Sequence, residues 1–93
     1  MDEDGANGPW LALYATSGCH LCERAQRLIH DATRLPLRLV EIADDEALAE
    51  RYGVRIPVLR RLDDGQELDW PFDATAVQRF VRARREGPER AFF

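Results

Sequence analysis

Residues 14–29 read YATSGCHLCERAQRLI and hold both cysteines of the chain, Cys19 and Cys22. Before the cysteines, residues 10–16 form a short apolar run with aromatic side chains, which predicts a buried strand. After Cys19 the charged and polar side chains take one face of a helix, and the apolar ones fall at helical spacing on the other. These apolar positions are Leu21, Ala25, Leu28, Ile29 and Ala32. The stretch predicts a strand that passes through a cysteine-containing turn into an amphipathic helix.

The next segments continue an alternation of strands and helices. Pro36 limits the first helix, and residues 37–43 (LRLVEIA) predict a second strand covered on both faces. A strand, a helix and a strand within this length form a βαβ unit with parallel strands. Asp44-Asp45 predict the start of a short second helix, with Gly53 at its C′ position.

The remaining residues predict a hairpin and a last helix. Strand-like runs at 54–62 and 66–70 flank Asp63-Asp64-Gly65, and Asp-Gly between two such runs favours a hairpin. We expect Asp73 to cap the last helix and Gly87-Pro88 to end it. The predicted fold is α/β, in the order β-α-β-α-β-β-α. Its four-stranded mixed sheet has helices on both faces, two on one and one on the other.

The composition predicts one globular domain with two tails. The 93 residues are 45% hydrophobic and 32% charged, which is ordinary for a globular domain. We expect a disordered N-terminal tail at 1–9, a domain at 10–85 and a C-terminal tail at 86–93. The net charge of −4 comes from the tails, because residues 10–85 contain 12 arginines and 12 acidic residues. This balance of charges does not indicate a surface that binds nucleic acid or a membrane.

The sequence also bears on the compartment. It has no apolar run near the roughly 20 residues that span a bilayer. The N-terminus MDEDGANGP lacks the basic and apolar regions of a signal peptide. We therefore expect a cytoplasmic protein, and in that compartment disulfides are more often transient and catalytic than structural.

The two cysteines have three interpretations on their spacing alone. They form a redox couple, they are inert buried residues at a helix start, or they supply half of a zinc site. The other candidate zinc ligands in the domain are His20, which lies inside the turn, and His30, two helical turns beyond Cys22. One chain does not bring these four residues together, so we expect no metal site within a single copy.

The order of the elements, with CxxC at the first strand–helix junction and Ile56-Pro57 at the start of the third strand, resembles the thioredoxin fold. The chain is most similar to glutaredoxins, and YATSGCHLCERAQRLI with YGVRIPVLRR resembles a divergent glutaredoxin-like family of small bacterial proteins. This resemblance covers about residues 10–85. It implies that Cys19 is the exposed nucleophile and Cys22 the resolving thiol.

The resemblance also implies a substrate-binding edge. Pro57 matches the cis-proline beside the disulfide, and Ile56 matches the residue whose backbone pairs with the substrate chain. Asp73 lies near the position where glutaredoxins bind the γ-glutamyl end of glutathione. The chain departs from the family pattern in three respects. It has His20-Leu21 between the cysteines instead of Pro-Tyr, Trp70-Pro71-Phe72 instead of Gly-Gly, and no lysine.

Two further residues have open interpretations. His20 either stabilises the Cys19 thiolate as an imidazolium or is a solvated residue on an exposed turn. Arg55 either binds a substrate carboxylate or is a solvated strand residue.

We expect a thiol–disulfide oxidoreductase that reduces protein or glutathione mixed disulfides. It would work as a monomer without a bound cofactor, with glutathione as a candidate co-substrate and a reductase as a candidate partner. The alternative is a non-catalytic thioredoxin-fold binding module or a carrier of a glutathione-ligated iron–sulfur cluster.

Overall fold

The computed structural model describes residues 10–90, and the side chains of residues 10–82. The strands are β1 (Leu11–Ala15), β2 (Leu37–Glu41), β3 (Val58–Arg61) and β4 (Glu67–Asp69). The helices are α1 (His20–Ala32), α2 (Glu46–Tyr52) and α3 (Ala74–Arg90). The order β1-α1-β2-α2-β3-β4-α3 is the predicted one. The expected N-terminal tail at 1–9 and the final residues 91–93 lie outside the described residues.

The four strands form one mixed sheet in the order β2-β1-β3-β4. Strand β1 runs parallel to β2 and antiparallel to β3, and β4 closes an antiparallel hairpin with β3. Strand β1 is therefore central, and its C-terminal end lies beside that of β2, with Ala15 opposite Glu41. Because β1 leads directly to the cysteines, this edge of the sheet carries the cysteine turn.

Alternation along the strands divides the core between the two faces of the sheet. Leu11 and Leu13 of β1 pack with α1 and α3, in a cluster completed by Ala25, Ile29, Leu59, Phe72 and Val77. Val58 faces the other side, where it packs with Ile42 and Tyr52. The ring of Tyr14 stacks on that of Tyr52, with centroids 4.3 Å apart. Helices α1 and α3 thus cover one face and α2 the other, as predicted.

Several predicted element ends are wrong. Strand β2 ends at Glu41, and Ile42–Asp44 form a 3₁₀ turn because the Glu41 side chain accepts from the Ala43 N–H and caps this turn. Strand β3 begins at Val58, four residues later than predicted, and Val54 is completely exposed. A strand cannot begin at Val54 because the amides of Arg55 and Ile56 both donate to the carbonyl of Tyr52.

Two predicted helix ends are wrong as well. Gly53 is the C-cap residue of α2 and has right-handed helical angles (φ −52°), whereas we expected it one position later, at C′. Helix α3 continues through Gly87-Pro88 to Arg90. The fixed φ of proline is compatible with a helix. Proline destabilises a helix because it lacks an N–H, which removes one hydrogen bond, and because its ring approaches the carbonyl of the preceding turn.

Candidate active site

Cys19 is the N-cap residue of α1, and the turn before it gives it this place. Gly18 adopts φ +80°, a left-handed conformation that glycine takes without steric cost. Cys19 is in an extended conformation, and its Sγ accepts a hydrogen bond from the Cys22 N–H at 3.1 Å. A sulfur thus occupies the capping position where Ser, Thr, Asp or Asn is usual.

Cys19 and Cys22 are joined by a disulfide, with their Cα atoms 5.2 Å apart. Their surroundings differ, because Cys22 is 4% exposed and Cys19 is only partly buried. The first-turn N–H groups of α1 have no partner within the helix, and one of them, that of Cys22, donates to the Cys19 sulfur, which also lies at the positive end of the helix dipole. When the pair is reduced, these groups favour the thiolate at Cys19 over that at Cys22.

Glu41, the last residue of β2, holds the turn that leads to Cys19. Its Oε1 accepts from the Ser17 N–H at 3.0 Å and from the Ser17 hydroxyl at 3.1 Å, and its Oε2 accepts from the Ala43 N–H at 3.1 Å. Hydrogen bonds from the Thr16 hydroxyl and from Ala43 lower the pKa of Glu41 below its ordinary value, against an opposing effect of desolvation. The carboxylate is therefore ionised beside the disulfide turn at neutral pH.

A cleft of about 250 Å³ lies between the start of α1 and the edge strand β2. It is lined by the disulfide, by the turn before it, by Glu23 and Gln26 of α1, and by Leu39, Val40 and Glu41 of β2. Leu39 is 53% exposed there. Among the residues that the structure describes, the lining of this cleft does not include Arg55, Ile56, Pro57 or Asp73.

Ile56 and Pro57 lie in the loop between α2 and β3. The Ile56-Pro57 peptide bond is cis, and the ring of Pro57 is fully buried. The N–H of Ile56 donates to the Tyr52 carbonyl at 3.0 Å. If a substrate chain paired with Ile56 through this N–H, that bond would have to break.

Arg55 lies in the loop before β3, and its partly exposed side chain is bound to two carboxylates, so it is more than a solvated strand residue. Its Nη2 lies 2.8 Å from Glu67 Oε1 and 2.7 Å from Asp69 Oδ1, and these bonds raise the pKa of the guanidinium further. Its guanidinium also lies over the ring of Tyr52. A substrate carboxylate at Arg55 would therefore compete with two carboxylates of β4.

Glu67 is the centre of this ionic network. Its Oε2 accepts from the Tyr52 hydroxyl at 2.6 Å and from Arg60 Nη1 at 3.3 Å. Desolvation is the largest single effect and raises the pKa of Glu67. The hydrogen bonds from Tyr52 and Arg55 and the charges of Arg55 and Arg51 together outweigh it, so the pKa lies below its ordinary value. The same surroundings raise the pKa of Tyr52, chiefly through desolvation and the bond to Glu67. The network fixes β4 and the loop before β3.

The two remaining predicted residues lie at helix starts. His20 has a 92% exposed side chain, and its Nδ1 is 3.9 Å from Glu23 Oε1. Asp73 precedes α3, and its Oδ1 accepts from the Ala76 N–H at 2.8 Å, so it caps that helix as predicted. Its carboxylate thus already occupies an anion position at the start of α3.

Within the residues that the structure describes, no group of three or more His, Cys, Asp or Glu side chains is arranged to hold a metal ion. None of the helices among these residues has the length and apolar character needed to cross a membrane.

Sequence reasoning missed Glu41 and Glu67. A signal existed for Glu41, because the C-terminal ends of neighbouring parallel strands meet at one edge, and Glu41 ends the strand next to β1. Glu67 had only a weak signal, as an acidic residue at a strand position opposite Arg60 in the predicted hairpin.

Comparisons with known proteins agree with this geometry. The model of the glutaredoxin-like domain family (DUF836) matches residues 10–82. The crystal structure of target protein XcR50 from X. campestris is 44% identical and has a TM-score of 0.74, over 78% of this chain and 96% of that chain. Its solution structure, also 44% identical, gives a TM-score of 0.72 over 78% of this chain and 92% of that one.

A third solved structure is more distant. The solution structure of Ne2328 from Nitrosomonas europaea is 28% identical, with a TM-score of 0.61 over 75% of this chain and 87% of that one. No curated protein matches the chain. The family match covers the strands, the helix that Cys19 caps and the loop at Pro57. The chain therefore belongs to the glutaredoxin-like domain family, and it is a redox-type protein with a thioredoxin-like fold and a Cys19–Cys22 pair.

Proposed function

We propose that this protein is a thiol–disulfide oxidoreductase that reduces disulfides of proteins or of glutathione adducts. The observation that carries the proposal is the unequal placement of the two sulfurs. Cys19 Sγ lies at the N-terminus of α1, partly exposed, and accepts the Cys22 N–H at 3.1 Å, while Cys22 is buried behind it. An exposed, stabilised thiolate next to a buried thiol is the arrangement that a dithiol reductant needs.

The reaction starts from the reduced pair. The Cys19 thiolate attacks one sulfur of the substrate disulfide, a Cys19–substrate disulfide forms, and the other substrate sulfur leaves as a thiolate that takes up a proton. Cys22 then loses its proton and attacks Cys19 Sγ, which forms the Cys19–Cys22 disulfide and releases the second substrate thiol. Two electrons and two protons pass to the substrate. An external thiol such as glutathione, or a reductase, returns them to the pair.

The test measures reduction of a protein disulfide and of a small glutathione mixed disulfide by wild type, Cys19→Ser and Cys22→Ser. We expect Cys19→Ser to abolish both activities. Cys22→Ser should accumulate a covalent Cys19–substrate disulfide, which mass spectrometry detects. If wild type is no faster than Cys19→Ser on both substrates, the proposal is wrong.

The same preparations test the alternative of an iron–sulfur carrier. Purified without oxygen, an oxidoreductase should be colourless and contain no stoichiometric iron. Stoichiometric iron with visible absorbance, lost in Cys19→Ser, would favour the carrier instead.

A further inference from the structure

We propose that the cleft beside the disulfide selects substrates by charge and favours disulfides flanked by cationic side chains over anionic ones such as glutathione adducts. This inference rests on the proposed function and specifies its substrate class. It predicts a partner with lysine or arginine close to its reactive cysteine.

The charges that line the cleft carry the inference. Of its lining residues, the charged ones are Glu23 and Glu41, and both are carboxylates. Glu41 holds its charge at neutral pH because the hydrogen bonds that it accepts favour the ionised form. Glu23 lies in the first turn of α1 with a largely exposed side chain. A residue flanking the substrate cysteine would therefore meet two negative charges when it enters this cleft.

The cations closest in the sequence to the predicted substrate edge are already occupied. Arg55 binds Glu67 and Asp69, and Arg60 contacts Glu67 and the Tyr52 hydroxyl. At the start of α3, the Ala76 N–H is bonded to the carboxylate of Asp73. An anionic substrate would have to displace a carboxylate of this chain at each of these places.

The positive end of α1 does not reverse this preference. It acts on the Cys19 sulfur, and such an effect falls off within the first turn of a helix. The imidazole of His20 is largely exposed and lies beside Glu23, 3.9 Å away. Among the residues that line the cleft, the charged side chains that flanking residues of a substrate meet are therefore Glu23 and Glu41.

The probes are three matched peptides, each with one cysteine in a mixed disulfide with 2-mercaptoethanol. The cysteine is flanked on both sides by arginine, by glutamine or by glutamate. The measurement is kcat/KM for reduction by the full-length protein, with dithiothreitol as the reductant. Each value is divided by the uncatalysed rate with dithiothreitol, which corrects for the effect of the flanks on the peptide thiol itself.

We expect the corrected kcat/KM to be highest for the arginine peptide, intermediate for the glutamine peptide and lowest for the glutamate peptide. The arginine and glutamate peptides should differ by roughly tenfold at low salt, as the sum of several exposed charge pairs. The difference should shrink in about 1 M salt, where the Debye length is about 3 Å. Glu23→Gln should reduce the arginine-to-glutamate ratio by about two- to threefold, and Glu23→Arg should reduce it further. Glu50→Gln, which removes an exposed carboxylate of α2 outside the cleft, should leave the ratio unchanged.

The failures are distinguishable. Equal rates on the three peptides, or a preference for glutamate, overturn the charge selection while the oxidoreductase proposal stands. A ratio that responds to Glu50→Gln as much as to Glu23→Gln also overturns it, because the selection would then follow net charge and not the cleft. If no peptide is reduced faster than without protein, the proposed function itself is wrong.

Discussion

The carboxylate of Glu41 accepts both the backbone N–H and the hydroxyl of Ser17, at 3.0 Å and 3.1 Å. Ser17 is two residues before Cys19, so one side chain at the end of β2 ties down the turn that presents the sulfur. The same carboxylate accepts the Ala43 N–H and caps the turn after β2. It joins the ends of two parallel strands at the point where the cysteine turn begins.

Acidification should release this turn locally. The folded pKa of Glu41 is below its ordinary value of 4.5, so the ionised form and its bonds are complete above that pH and are lost as the pH falls through the lower folded value. The Ser17 and Ala43 amide resonances, followed by NMR, should titrate together with a midpoint below 4.5.

Two variants of Glu41 test whether its side-chain oxygens protect the Ser17 and Ala43 amides from hydrogen exchange. Glu41→Gln keeps one acceptor oxygen and should protect one of the two amides from hydrogen exchange, whereas Glu41→Ala should protect neither. Glu50→Ala, at an exposed position on α2, is the matched control and should leave both amides as in wild type. A titration midpoint at or above 4.5, or protection of the Ser17 amide that survives in Glu41→Ala, would contradict the role of Glu41 in holding the turn before Cys19.

Glu67→Gln should destabilise the fold by about 1–3 kcal/mol at neutral pH, because Glu67, whose side chain is 16% exposed, is the charged acceptor that joins Tyr52, Arg55 and Arg60. The pKa of Glu67 is lowered, so its contribution is complete above its ordinary pKa of 4.5 and is lost as the pH falls through the folded value. The difference between wild type and Glu67→Gln in urea unfolding should therefore be largest near pH 7 and shrink below about pH 4.5. Glu50→Gln serves as the control, and a difference that grows on acidification would rule out this role.

The strands and the first helix were predictable because short-range patterns determine them. The apolar run of β1, the helical period through Ala25 and Ile29, and Asp64-Gly65 in the hairpin each suffice locally. The helical period placed Leu21 on the apolar face of α1, but its side chain is 43% exposed. Leu21 lies in the first turn of α1, beyond the end of β1, where the sheet offers no surface to cover it.

The ionic contacts were not predictable because they depend on register between distant segments. Arg60 and Arg61 are neighbours of the same type, and alternation predicts only that they face opposite sides of the sheet. The structure adds that Arg61 is buried against α3, while Arg60 joins Tyr52 and Glu67. A single sequence carries no sign of which arginine finds a carboxylate within reach, and Glu67 was missed for the same reason.

Arg61 should be the arginine whose loss costs most stability. It donates to the Phe80 carbonyl at 2.8 Å and through two nitrogens to Asp64, and its guanidinium lies over the Phe80 ring. Arg61→Met should reduce the free energy of unfolding by about 1–3 kcal/mol, since these buried bonds are lost together. The stability of Arg61→Lys should fall between those of wild type and Arg61→Met, because an ammonium cannot make the two-nitrogen contact with Asp64. Arg79→Met, at an exposed position on α3, should change stability little, and equal losses in Arg61→Met and Arg79→Met would contradict this role.

Substitutions at Asp73 should separate capping from substrate binding. Asp73→Asn keeps a capping oxygen for the Ala76 N–H, whereas Asp73→Ala removes it and should cost about 1 kcal/mol of stability. If Asp73 only caps α3, Asp73→Asn should keep both the wild-type stability and the wild-type kcat/KM on a glutathione mixed disulfide. A change in KM for that substrate in Asp73→Asn, with stability unchanged, would show that the carboxylate meets the substrate.

In the reduced protein, Cys19 should titrate well below the ordinary thiol pKa of about 8.5, and Cys22 should titrate above Cys19. The cause is the start of α1, which directs the Cys22 N–H at Cys19 Sγ, while the buried Cys22 has no such donor in the described contacts. Thiolate absorbance against pH in Cys22→Ser isolates Cys19, and the same measurement in Cys19→Ser isolates Cys22.

His20→Ala in the Cys22→Ser background tests the imidazole separately. Because the His20 side chain is 92% exposed, solvent screens its charge and the Cys19 pKa should move by less than about half a unit. Two thiols that both titrate near 8.5 would contradict the assignment of Cys19, and a shift of a full unit in His20→Ala would assign the stabilisation of its thiolate to His20 instead of the helix.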